Sequence, residues 1–426
     1  MVICGQSGGL EERVLQTRDG RPVKREGAFL MLAALLMFAG IGVTSNFEGG
    51  NIGKVEQVSP THLRCAVEGQ ADQDHRNRQA SWYYFELTGL PREQVAVDLV
   101  NIAGEYNYKS PAYAVNKQTR PVYSYDRVNW LHFTDDQVSW EEKEPHLTVR
   151  FTPNSDHVWI AHTPPYTNRD LAALIDSFHG SPYLEKKVIG RTVENREMPL
   201  LTITNPKIPE ANKKVIWLMF RQHAWESGSS WVCDGSIRFL LSDDSNARRI
   251  RDENIFKIFP MADPDGVAAG MVRFNKNGFD LNRNWDTMDP KMMPEITAQR
   301  KTMLDWADSG HRFDLFLSLH NTESGEYLEG PAQYKALGER LFKILVQTTT
   351  FHPTIPLREM EATTTPGKPG RMQVDQGLYH ERKLPAFLME QMVQFNSKLG
   401  RCAEVSDREG FGAGLVRGIA AAVRER

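Results

Sequence analysis

The stretch that most constrains this chain is Phe220-Arg221-Gln222-His223-Ala224-Trp225-Glu226, which continues an apolar run from Val215 to Phe220. An apolar run of that length reads as a buried strand, so His223 and Glu226 leave a strand end in an H-x-x-E spacing. That spacing lets an imidazole and a carboxylate converge on one cation. Zinc accepts nitrogen and oxygen ligands, and a catalytic zinc site keeps one position for water. An H-x-x-E can also arise by chance at a helix start, so the rest of the chain must supply a third ligand and the groups that do chemistry.

His320 follows the apolar run Leu315 to Leu319 and so also stands at a strand end. In open α/β sheets, sites form outside strand ends, which would bring His223, Glu226 and His320 to one edge. The alternative for His320 is a strand-end histidine satisfied by a backbone partner. Glu390 closes a third apolar run, Pro385 to Met389. A carboxylate there is costly unless solvated or paired. Beside an activated water it could take a proton and return it to a leaving amine. Between these positions lie Asp263-Pro264-Asp265-Gly266-Val267, Arg273 and Asp280-Leu281-Asn282-Arg283-Asn284-Trp285. Arginine pairs with carboxylates in a bidentate fork. Asn282 with Arg283 could therefore hold a free carboxylate, while a separate arginine could steady an oxyanion. The alternative is ordinary surface pairing.

From about Phe47 to Tyr166, short alternating stretches such as Gln94 to Val100 and His146 to Phe151 occur with no long amphipathic helix. This pattern predicts an antiparallel β-sandwich. Beyond it, strand candidates (Leu200–Ile203, Val215–Phe220, Ile255–Phe259, Leu315–Leu319, Ala386–Met389) alternate with helix candidates (Ser230–Leu241, Pro294–Ala307, Ala332–Thr348, Ala413–Arg424). Such alternation predicts a sheet with helices on both faces. The stretch Glu361 to Gly370 reads as a loop. The chain thus divides into residues 1–45, a sandwich at 46–166 and a catalytic region at 167–426. A formal net charge of -3 gives no basic excess for nucleic acid. The four scattered cysteines form no thiolate zinc motif. Residues 28–43 are continuously apolar, follow Arg21, Lys24 and Arg25, and precede Thr44-Ser45-Asn46. That layout predicts an export signal, or a membrane anchor if uncleaved, and hence an exported or anchored protein.

Taken together, these pieces resemble the M14 zinc metallocarboxypeptidases, and within them the cytosolic carboxypeptidase-like subfamily. The stretch from His223 to Val232 resembles H-P-G-E-x-x-x-S-W-V. Pro260 to Val267 resembles P-M-x-N-P-D-G-V, and Asp280 to Trp285 matches D-L-N-R-x-W. Trp82-Tyr83-Tyr84-Phe85, Tyr166 to Leu171 and Val188-Ile189-Gly190 resemble the subfamily's β-sandwich and its link to the catalytic domain. The resemblance implies an α/β fold: a mixed-sheet carboxypeptidase domain with helices on both faces, preceded by the sandwich. It implies one Zn2+ per chain on His223, Glu226 and His320, with Glu390 as general base and acid and Arg273 on the scissile carbonyl. Asn282 and Arg283 would grip the C-terminal carboxylate of a peptide or protein, and Asp280 would orient His223. Arg371 would take part in acidic side-chain recognition.

The chain departs from the pattern in three places. Ala224-Trp225 replaces Pro-Gly inside the zinc motif, Asp263 replaces asparagine, and the substrate-capping tyrosine has only Tyr379 as a candidate. Two other functions compete: a zinc deacylase resembling the aspartoacylase group, which is not expected to carry the sandwich, and an inactive binding protein, which would be expected to lack a ligand or the base.

Overall fold

A computed structural model describes residues 40–75, 77–106, 109–360 and 370–424. The loop reading of Glu361 to Gly370 and most of the apolar run at 28–43 lie outside the described residues. The first twelve strands are β1 (Gly42–Thr44), β2 (Val55–Ser59), β3 (His62–Ala66), β4 (Tyr84–Thr88), β5 (Val95–Val100), β6 (Gly104–Tyr106), β7 (Lys109–Ala112), β8 (Val122–Ser124), β9 (Leu131–His132), β10 (Val138–Glu141), β11 (His146–Phe151) and β12 (His157–Ala161). They form two five-stranded sheets, β1-β4-β12-β8-β9 and β10-β11-β5-β3-β2, with β6 and β7 as a separate hairpin. Alternate residues of both sheets meet in one core, including Leu63, Val97 and Val149 from one and Phe85, Leu87 and Ile160 from the other. The sandwich is not wholly antiparallel, because β3 and β5 pair in parallel.

The end of the apolar run at 28–43 is not a leader exit in the described residues. Ile41 is buried in the sandwich core, and Gly42, Val43 and Thr44 pair with Thr88, Leu87 and Glu86. These residues are sheet, because Ile41 fills the core while the backbone of Gly42–Thr44 completes the edge of β4.

The second half holds α1 (Asn168–Ser177), β13 (Leu184–Arg191), β14 (Glu197–Ile203), β15 (Lys214–Phe220), α2 (Ser227–Leu241), α3 (Ser245–Glu253), β16 (Asn254–Phe259), α4 (Pro264–Ala268), α5 (Pro294–Asp308), β17 (Leu315–Thr322), β18 (Tyr327–Gly330), α6 (Lys335–Thr348), β19 (Arg358–Glu359), α7 (Val374–Arg382), β20 (Ala386–Met392) and α8 (Val405–Arg424). Eight strands form one mixed sheet in the order β13-β14-β16-β15-β17-β20-β18-β19. The central strands β16, β15, β17 and β20 are parallel. A parallel sheet is covered on both faces, which is why its strands read as unbroken apolar runs.

Alternation sorts the side chains between two cores. Ile216, Leu218 and Phe220 pack with Ile237 of α2, Leu341 of α6 and Leu415 of α8. Val215, Trp217 and Met219 pack on the other face with Ile296 of α5 and Leu378 of α7. The strands and long helices expected from periodicity are present with shifted ends. The helix α8 begins at Val405 rather than Ala413, and α3, α4 and α7 are too short and hold too few apolar residues to have stood out. α1 opens on a capping box in which Thr167 and Asp170 exchange hydrogen bonds.

Candidate active site

The parallel arrangement carries β15, β17 and β20 to a common end. His223 and Glu226 lie in the turn after β15, with Glu226 at the N-cap of α2. His320 lies within β17 directly opposite Glu390 of β20. Arg221 takes a positive φ of 59° at the start of this turn. Its buried guanidinium holds the turn by donating to Ala224 O at 2.8 Å and Ser230 Oγ at 2.9 Å.

The ligating atoms of His223, Glu226 and His320 all lie within 4.8 Å of one another, and all three residues are buried. His223 Nδ1 is 2.6 Å from Glu226 Oε1, and His320 Nδ1 is 3.0 Å from Glu226 Oε2. The opposite ring nitrogens explain this orientation. His223 Nε2 donates to Asp280 Oδ1 at 3.0 Å, and His320 Nε2 faces Gln222 Oε1 at 3.1 Å. Gln222 is fixed by donating its amide to Leu281 O at 2.9 Å, so Oε1 is the acceptor. With the ring N–H groups assigned outward to Asp280 and Gln222, both Nδ1 atoms turn inward on the Glu226 carboxylate. Two imidazole nitrogens and a carboxylate converge in an arrangement that a bound cation would complete. Histidines oriented by outer carbonyl or carboxylate partners are the usual surroundings of a metal.

Asp280 joins the ligands to Arg273. Its second oxygen accepts from Arg273 Nε at 2.7 Å. Burial works to raise the Asp280 carboxyl, but Arg273 and His223 outweigh it and hold the group well below the usual carboxylate range. Asn282 is buried, with Nδ2 3.4 Å from His320 Nε2 and Oδ1 accepting from Val374 N at 3.0 Å. Arg283 donates to Asn282 O at 2.7 Å and is half-buried. Gly370 pairs with Asn284, which brings Arg371 beside this segment. Glu390 is half-buried, and its buried Oε2 meets no hydrogen-bond partner. Burial pushes its carboxyl well up, Glu226 adds to the rise and Arg273 opposes it. Tyr379 is turned to the outer rim, its hydroxyl on Gln333 at 3.3 Å and its ring under Lys383.

Several residues that sequence reasoning missed surround this group. Gln70, in the sandwich, accepts from the backbone N–H groups of Val272, Arg273 and Phe274 at 3.0, 2.8 and 2.9 Å and donates to Phe274 O at 2.8 Å. Gln73 N donates to Gly278 O at 3.0 Å. Gly278 has a φ of +85°, and a Cβ there would lie 2.6 Å from Gln73 N. Tyr106 of β6 lies against Arg273, with the guanidinium carbon 5.6 Å from its ring centre. Trp225 packs into an aromatic cluster with Trp82, Tyr84 and Trp130. Tyr327 stands opposite Glu390 in the β18–β20 register, and burial raises the pKa of Glu323 beside the site to about 8.

Comparison with known proteins accords with this geometry. Residues 173–328 match the zinc carboxypeptidase family of M14 peptidases, and residues 43–162 match the cytosolic carboxypeptidase N-terminal domain. The chain thus carries an M14 zinc carboxypeptidase domain preceded by a cytosolic carboxypeptidase N-terminal domain. It is 26% identical over 332 residues to mouse cytosolic carboxypeptidase 3, covering 71% of this chain and 32% of that protein. It is 28% identical over 309 residues to cytosolic carboxypeptidase 6 of Caenorhabditis elegans, covering 70% and 66%. The crystal structure of a metallo-carboxypeptidase from Burkholderia cenocepacia superposes with a TM-score of 0.77 at 26% identity, covering 90% of this chain and 99% of that one. The zinc carboxypeptidase match includes His223, Glu226, Arg273 and His320 but stops before Glu390.

The expectation of an exported or membrane-anchored protein is corrected by these findings. The relatives are named cytosolic carboxypeptidases, and the sandwich matches their N-terminal domain. No helix among the described residues is long and apolar enough to cross a membrane.

Proposed function

We propose that this chain is a zinc-dependent metallocarboxypeptidase that removes C-terminal residues from peptides or proteins. The observation that carries the reading is the inward convergence of two histidine Nδ1 atoms and the Glu226 carboxylate. His223, Glu226 and His320 would hold one zinc. When bound, zinc supplies Lewis acidity toward water and the scissile carbonyl.

The chain's own groups do the rest. Glu390 faces the site from the neighbouring strand with an unpartnered oxygen, suited to accept a proton from water and deliver it to the leaving amine. Arg273, fixed by Asp280 and by the sandwich, supplies a charged donor for the developing oxyanion. Arg283, with Asn282, holds the terminal carboxylate. Asp280 keeps the imidazole of His223 in the tautomer that presents Nδ1.

The test compares one peptide in free-acid and C-terminally amidated forms. Amidation removes the charge that Arg283 reads and leaves the scissile bond unchanged. Trimming of the acid with little or none of the amide is the expected result. Equal cleavage of both would remove the carboxypeptidase reading.

A further inference from the structure

Arg273 is restrained at one edge by the catalytic region and over one face by the sandwich. Its Nε donates to Asp280 Oδ2 at 2.7 Å, and among the described residues its two Nη groups give no hydrogen bond. A guanidinium held through Nε alone can still turn about that bond. Tyr106 supplies a second restraint: the guanidinium carbon lies 5.6 Å from its ring centre, inside the range in which a ring attracts a cation. Arg273 is 9% exposed, whereas Tyr106 is 45% exposed. A ring that open to water is not held there by core packing.

Its position is built instead by the part of the sandwich that holds Arg273 itself. Gln70 accepts from the backbone of Val272, Arg273 and Phe274, and it exchanges backbone hydrogen bonds with Gln79. Next to Gln79, Arg78 donates to the carbonyls of Val67, Glu68, Asn101 and Ala103, which ties the base of β6 to the same part of the chain. Glu105 N donates to Arg78 O, and Asn77 N donates to Glu105 Oε2 at 2.8 Å. A Cβ on Gly104 would stand 2.9 Å from Arg78 O, so glycine lets the hairpin sit this close. Side chains alternate along a strand, so Glu105 turns to its anchor and Tyr106 to the opposite face, over Arg273. The sandwich thus fixes both the backbone of Arg273 and the ring against its guanidinium.

We propose that Tyr106 is a positioning residue of the hydrolysis: its ring sets the plane of the Arg273 guanidinium and aims the Nη groups at the developing oxyanion. The proposal rests on the carboxypeptidase reading. The test uses the zinc-loaded full chain, one free-acid peptide and a phosphonic-acid analogue of that peptide, whose tetrahedral oxygens resemble the oxyanion. Tyr106→Ala should lower kcat by about 10-fold with zinc content and KM little changed, because an interaction made in the transition state alone is lost from kcat. The inhibition constant of the phosphonic acid should rise by about the same factor. That constant does not depend on the folded fraction. Tyr106→Phe should recover most of both losses, since a phenyl face still attracts the cation. Tyr106→Leu, apolar but without such a face, should behave as Tyr106→Ala does. An inhibition constant unmoved by Tyr106→Ala, or losses that Tyr106→Leu recovers as well as Tyr106→Phe, would overturn the proposal alone. Wild-type protein that cleaves amides as readily as free acids would remove the carboxypeptidase reading and this proposal together.

Discussion

The two walls of the candidate site are held in different ways. On the sheet side, His320 and Glu390 stand opposite one another on parallel strands, and His223 and Glu226 follow a third strand. Their positions come from buried backbone pairing within one sheet. On the other side, Arg273 lies in an irregular segment whose backbone is held by Gln70, a residue of the sandwich. Trp225, between the two zinc-ligand candidates in sequence, also leaves the catalytic core for the aromatic cluster of the sandwich. The sandwich therefore borders the candidate site: the sheet sets the candidate metal donors, and the sandwich holds the backbone of Arg273.

The largest effect should come from breaking the sheet-side wall. His320→Ala removes a donor and leaves Glu226 facing one imidazole; nearly all zinc and activity should be lost, checked by metal analysis and turnover. If the variant keeps full zinc, His320 is not a ligand. Glu390→Gln separates metal from chemistry on the same wall. It should retain zinc and lose activity on the order of 10²-fold or more, in the range expected of a general base, and near-normal turnover would exclude Glu390 from proton transfer.

The sandwich-side wall should break more gently. Trp225→Ala deletes a large buried ring and should cost about 3–5 kcal/mol of stability, measured by denaturant unfolding. Zinc affinity should fall with it, because the turn joining His223 to Glu226 loses its anchor. The smallest and sharpest effect is that of Gln70→Ala. It leaves four backbone groups near Arg273 without their partner, at about 1–3 kcal/mol where such a group stays buried and unsatisfied. The expected signature is a lower kcat with zinc content and KM little changed. Unchanged kcat in a stably folded Gln70→Ala protein would mean that Arg273 is held in place without the sandwich.

The same contrast explains how much could be read from the sequence. The apolar runs that precede His223, His320 and Glu390 were legible because buried parallel strands are apolar over long stretches. Arg273, Asp280 and Arg283 stood out through their place in short motifs. Gln70 carried no local signal, since its partners lie 202 to 204 residues away. The end of the apolar run misled, because an alternating edge strand of three residues is too short to be told from the tail of a hydrophobic leader.

That edge strand has a consequence of its own. β1 covers the outer side of β4, and its three residues occupy the backbone groups between Glu86 and Thr88. A protein shortened past Thr44 would present those groups to solvent beside Phe85 and Leu87. An open, apolar strand edge is a template for adding a strand from another molecule. Such a shortened chain should self-associate with rising concentration, so the segment Gly40–Thr44 guards solubility as well as completing the sheet.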